Sequence, residues 1–160
     1  MDFQQRLEKA VERGHRASSD RAKAHAAKAL SEEELRRLHT AHRLEVSEHI
    51  ERCLAQLPQH FPGFRIETIV GERGWGAAIN RDDLTVDSGR RASMFSRLEL
   101  FVRPLSKLYV VDLAAKGTIR NKEVYNRSHY QLISDVDVAS FKELIDLWVL
   151  EYAELYAAKR

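Results

Sequence analysis

FRIETIVGERGWGAAIN, Phe64 to Asn80, is the stretch in which the periodicity of the chain changes. Phe64, Ile66 and Val70 share one phase of a period-two pattern, and Trp75, Ala77 and Ile79 share one beyond the GERG tetrapeptide. Period two marks a strand with one buried face, and a short glycine-bounded break between two such runs reads as a hairpin. GERGWG lacks the Lys-Ser/Thr ending of a phosphate-binding loop and opens no helix, so a turn is its expected use.

Working outward toward the C-terminus, a polar loop is expected over Asp82–Ala92. Met94, Leu98, Leu100 and Val102 then alternate with Phe95, Arg97, Glu99, Phe101 and Arg103. Pro104-Leu105-Ser106 turns the chain, Tyr109, Val111 and Leu113 follow in one phase, and a further strand is expected across residues 117–133. Consecutive strands with short turns imply an antiparallel meander of four or five strands over residues 64–133.

On the N-terminal side the pattern is helical over residues 1–57. Phe3, Leu7, Ala10 and Val11 share a face, followed by the Ala-rich, basic run RAKAHAAKAL. Gly14 or Ser18-Ser19 is a candidate break, since glycine costs about 1 kcal/mol against alanine inside a helix. Ser31 with Glu34 spells a capping box for a second helix, whose stripe is Leu35, Leu38, His42, Val46, Ile50, Cys53 and Leu57. Two helices joined so tightly are expected to fold back as a hairpin or to run on as one bent rod, ended by Pro58 and Phe61-Pro62-Gly63.

Beyond the sheet, Asp135 or Asp137 caps a long helix over residues 136–158. Its stripe of Val138, Phe141, Ile145, Trp148, Tyr152 and Leu155 is widened by Leu144, Leu147, Val149 and Tyr156, a face broad enough to lie across the sheet. The fold class is therefore α+β, read as one domain over residues 1–160. The order of elements resembles that of helix-grip and other folds in which a sheet holds a terminal helix, a likeness of layout that assigns no function.

With 160 residues, 44% hydrophobic and 31% charged, the composition is that of an ordinary globular protein. A net charge of +2 does not mark a nucleic-acid binder, but it hides an uneven distribution. Residues 58–133 carry a basic excess and residues 134–160 an acidic one. The single Cys53 excludes an intrachain disulfide. MDFQQRLEK has no signal-peptide core, and the most apolar run, LIDLWVL, is too short to span a bilayer and contains Asp146. A cytoplasmic protein without a membrane segment is expected.

The segment with the most chemistry is KGTIRNKEVYNRSHYQ, Lys116 to Gln131. Lys116, Arg120, Lys122 and Arg127 offer cationic contacts for phosphate or carboxylate, Asn121 and Asn126 offer amides, and Tyr125, His129 and Tyr130 offer ring surfaces. These nine residues are the candidate binding residues, and an anionic ligand, nucleic acid or protein is the candidate partner. The bland alternative is a polar edge strand whose charges discourage aggregation. An enzymatic alternative places Asp112, Lys116 and His129 together for acid–base chemistry, with no nucleophile identified. Two further readings are assembly into a homo-oligomer through the helices, and a small apolar ligand held between the sheet and the C-terminal helix.

His49 and Cys53, at i and i+4, have the spacing of a ligand pair, and His42 with Glu45 is spaced i, i+3. A metal site needs converging ligands from elsewhere, with His60, His129 and Asp112 as candidates. Neither the HExxH nor a paired-cysteine signature is present, so His39 and His49 are read as flanking the apolar stripe and Cys53 as a small core residue. No catalytic residue, metal or cofactor is assigned.

Overall fold

In a computed structural model of the chain, residues 2–158 are described, without the side chains of residues 24–30, 85 and 87. The chain divides into two compact units, residues 1–37 and 38–160.

From Phe3 onward the first unit is helical and belongs to α1, Phe3–Leu54, which also contributes to the second unit. Asp2 caps its start, accepting a hydrogen bond from the Gln5 N–H at 2.9 Å. Phe3, Leu7 and Val11, the expected stripe, are exposed. None of the expected breaks forms. The backbone is helical through Gly14, Ser18-Ser19 and Ser31, so the hairpin does not form. Isolated weak positions lower helix stability by amounts that the Ala-rich run between them offsets, and a capping box acts only where a helix already begins.

The second unit holds the rest. A one-turn helix α2, Leu57–His60, begins with Pro58 in its first turn, where a missing N–H costs nothing. Five strands follow: β1 (Arg65–Gly71), β2 (Gly74–Asp87), β3 (Arg90–Val102), β4 (Val110–Ile119) and β5 (Lys122–Leu132). They form one antiparallel sheet in the order β1-β2-β3-β4-β5. A single 3-10 turn, Ile133–Asp135, leads into α3, Val138–Ala158. Asp137 caps α3, its carboxylate accepting from the Ser140 N–H at 3.4 Å.

Register gives the sheet two different faces. Ala77 pairs with Leu100, Ile79 with Leu98, Trp75 with Val102, and Val102 with Leu113. These residues share the face on which the helices lie. Val46, Ile50 and Leu54 of α1 and Phe141, Ile145 and Tyr152 of α3 are almost wholly buried there. The two helices run in the same direction, because Glu45 meets Lys142 and, a turn later in both, His49 meets Asp146. Arg43 of α1 stacks over the Trp75 ring at 3.9 Å. Phe61, Phe64 and Tyr156 close one end as edge-to-face rings at 4.9–6.4 Å. The inner side chains of α3 therefore pack against those of the sheet at these positions.

The expected loop over Asp82–Ala92 is instead the end of a long hairpin. Strands β2 and β3 pair residue by residue out to Asp87 and Arg90, beyond the reach of β1 and β4. Ser88 and Gly89 both have positive φ (53° and 76°), the conformation of a two-residue turn that matches strand twist. Polar side chains on both faces obscure the pattern, because a ribbon in solvent needs no buried face. Gly76 is required for a different reason: a Cβ there would stand 2.0 Å from the Leu100 carbonyl oxygen.

Candidate functional site

β5 is an edge strand, and its pleat divides the candidate segment between two environments. Tyr125, Arg127, His129 and Gln131 point at α3. The Tyr125 hydroxyl donates to the Trp148 carbonyl at 3.1 Å. Arg127 grips Glu151 through two nitrogens at 2.5 and 2.9 Å and covers the Tyr125 ring at 4.6 Å. His129 meets the Phe141 ring at 5.4 Å, and Gln131 donates to Ser140 at 2.7 Å. Burial pushes the Tyr125 phenol well above its ordinary range, and the hydrogen bond from Arg127 holds the Glu151 carboxyl below its own. Each of these side chains ties the edge strand to α3.

The turn from β4 to β5 has a structural task of its own. Arg120 and Asn121 both adopt positive φ (48° and 69°), and Asn121 pairs with β3 as a strand residue would. Its amide donates to the Ser93 carbonyl at 2.8 Å and accepts from the Phe95 N–H at 2.9 Å. Arg120 and Lys122 are exposed at this turn.

Lys116, Asn126 and Tyr130 point to the other, helix-free face. Asp112 also faces that way, 3.4 Å from Arg103, while His129 lies beneath α3. Asp112 and Lys116 are themselves four residues apart on one strand, roughly 13 Å at an ordinary strand rise. The acid–base trio of Asp112, Lys116 and His129 therefore does not assemble: two members share a face without touching, and the third is on the opposite one.

What the helix-free face does assemble is a trench of about 480 Å³, bordered by Arg73, Arg103, Lys116 and Asn126 around Phe101 and Glu99. Phe101 is only 7% exposed because the guanidinium groups of Arg73 and Arg103 lie over its ring at 5.1 and 5.9 Å. Glu99 accepts from Arg73 at 2.9 Å and pairs with Arg97 at 3.3 Å, and Arg97 reaches across to Glu67 at 2.6 Å. The acids thus hold the arginines in place. Lys116, opposite Glu99 in register, makes no ion pair among the described residues. Arg73, Arg103 and Phe101 were not foreseen as part of a site, although the alternation of Phe101 and Arg103 against the core residues marks their phase.

A second constellation lies between the helices. His49 Nε2 is 2.7 Å from Asp146 Oδ1 and 3.5 Å from Cys53 Sγ, and the thiol donates to the same carboxylate oxygen at 3.2 Å. The His49–Cys53 pair was legible from its spacing; its partner Asp146 was not, though an acid inside the most apolar run of α3 is a signal. Of the other candidates, His60 lines the neighbouring cavity, whereas Asp112 and His129 stand on the sheet, and Glu45 instead pairs with Lys142 at 3.1 Å. Burial, and then the neighbouring Asp146 carboxylate, push the Cys53 thiol up to about 12. Burial would raise Asp146 too, but its hydrogen bonds with His49 and Cys53 hold it below the ordinary range.

His39 lies elsewhere on α1 and is 3% exposed, with Nε2 unpartnered. Burial and the Arg43 charge lower its pKa, against a hydrogen bond with the Arg103 backbone. Among the described residues no helix is long and apolar enough to cross a membrane. No protein-family model, curated protein or solved structure matches the chain.

Proposed function

We propose that the chain is a non-enzymatic binding domain that holds the anionic groups of a partner, phosphate or carboxylate, on the helix-free face of its sheet. The observation that carries this reading is Lys116, an exposed cation with no ion-pair partner among the described residues, beside two guanidinium groups already oriented by acids. Preoriented donors lose less freedom on binding than free ones. The Asn126 amide adds a neutral donor, and Tyr130, 65% exposed on the same face, adds a ring on which a planar group can stack. The binding set takes Lys116, Asn126 and Tyr130 from the Lys116–Gln131 segment and adds Arg73 and Arg103. Tyr125, Arg127, His129 and Asn121 have structural partners instead.

Two probes distinguish the sources of the anion: a short single-stranded oligonucleotide and an acidic peptide of matched charge. Lys116→Ala with Asn126→Ala is expected to weaken binding of the preferred probe about tenfold at low salt. For the oligonucleotide the loss of one cation reduces the slope of log K against log salt by roughly 0.7. Equal binding by this variant and the parent, with loss confined to Arg120→Ala and Lys122→Ala, moves the surface to the β4–β5 turn and removes the trench reading.

A further inference from the structure

Three donor atoms from two helices converge between α1 and α3, and their arrangement differs from that of a catalytic relay. In a relay the imidazole uses one nitrogen for the acid and the other for the nucleophile. Here Asp146 Oδ1 and Cys53 Sγ both approach His49 Nε2, at 2.7 and 3.5 Å, and approach each other at 3.2 Å. Three atoms that face a common point suit a cation placed at that point. Metal bonds of about 2.0–2.3 Å at tetrahedral angles set neighbouring donor atoms roughly 3.3–3.7 Å apart. The two sulfur distances already lie close to that range, and only the His49–Asp146 pair must part, by roughly half an ångström.

We propose that His49 Nε2, Cys53 Sγ and Asp146 Oδ1 bind one divalent transition-metal ion, zinc by preference, with a fourth position open to the adjoining cavity. The mixed nitrogen, sulfur and oxygen set suits a borderline-soft ion rather than calcium or magnesium. On binding, the thiol proton leaves to solvent as the metal–sulfur bond forms, and no other bond changes. The open position follows from the surroundings. Cys53 and Asp146 both line a cavity of about 430 Å³, whose wall continues through Leu57, Val149 and Ala153 and includes His60. An ion held by the three residues therefore has one side facing a largely apolar chamber, where water or the anionic head of a small apolar molecule completes its coordination. This site is distinct from the trench on the opposite side of the sheet and stands independently of it.

The test uses the full chain after chelator treatment, with Co²⁺ and Zn²⁺ alone as probes. The expected result is one Co²⁺ per chain with thiolate-to-cobalt charge-transfer absorption, displaced stoichiometrically by Zn²⁺. Cys53→Ala abolishes that absorption, and His49→Gln and Asp146→Asn each weaken Zn²⁺ binding at least tenfold in competition with a chromophoric chelator. Far-ultraviolet circular dichroism and urea titration of each variant establish that it is folded, and His42→Gln, outside the site, leaves binding unchanged. Co²⁺ bound without charge-transfer absorption would place the ion at other histidines and overturn the proposal. So would retention of parental affinity by folded Asp146→Asn, or no measurable binding by the parent.

Discussion

The two faces of the sheet use similar side chains for opposite purposes. Under α3, Arg127 and Tyr125 are joined to Glu151 and to the Trp148 carbonyl, and the ring of one lies beneath the guanidinium of the other. On the helix-free face Arg73 and Arg103 cover Phe101 in the same manner, but their own side chains stay half-exposed or more. An arginine over an aromatic ring is thus a seam in one place and a roof in the other. What separates the cases is whether another element supplies the second layer, and residue type alone does not contain that information.

The contrast breaks most visibly through the aromatic residues. Phe141→Ala, at a fully buried position on the face of α3 that meets the sheet, is expected to cost about 3–5 kcal/mol in urea unfolding. If it costs less than about 1 kcal/mol, α3 does not seat on the sheet as described. Gly76→Ala tests the sheet itself. Its Cβ meets the Leu100 carbonyl oxygen, and the resulting overpacking costs about 1–3 kcal/mol.

His39 sharpens the contrast through pH. Its ring is buried, next to Arg43 and His42, and its pKa lies below the ordinary 6.5. As pH falls below about 6.5 the unfolded chain takes up a proton that the folded chain refuses, so stability falls with it until the folded pKa is reached. The urea midpoint is expected to drop between pH 7 and pH 5, and His39→Gln flattens that part of the curve; an unchanged slope removes the buried-histidine account. A double-mutant cycle on Arg127 and Glu151 is expected to give only about 0.5–1 kcal/mol, since both side chains are more than a third exposed and water screens the pair. Smallest of all, Tyr130→Ala on the open face is expected to change stability by no more than about 0.5 kcal/mol while lowering affinity for the oligonucleotide.

Strand phase was readable because one face of the sheet is buried: Ala77, Ile79, Leu98, Leu100 and Val102 repeat every second residue and meet in register. The buried stripe of α3 through Phe141, Ile145, Trp148 and Tyr152 was legible for the same reason, whereas Leu147, expected to widen it, is exposed. The hairpin end from Leu84 to Ala92 was not, because the two paired strands there extend past both neighbours and have no core to impose a pattern. The breaks expected in α1 failed differently. Local signals such as Ser31 with Glu34 compete with helix propagation through their neighbours, and a short window does not weigh the two. The residues of the candidate binding segment were individually visible, but the pleat alternates them between faces, and which phase meets α3 is set by contacts with residues 23 and 24 positions further along the chain. Asp146 joins His49 across 97 residues of sequence, a separation at which spacing within one helix carries no information.

That same separation has a kinetic meaning. The five strands meet their neighbours through short turns, so the meander can pair as it is made, and loop closure adds little delay. The helix layer cannot close this way, because α1 precedes the sheet, α3 follows it, and the two run side by side only once both exist. During synthesis the sheet's apolar face stays partly uncovered until α3 emerges, which makes the last helix the gate to the finished fold and the uncovered sheet the species most prone to aggregate. Slowing the appearance of α3, for instance with rare codons ahead of Val138, is therefore a direct way to trade yield for insight into how the second unit folds.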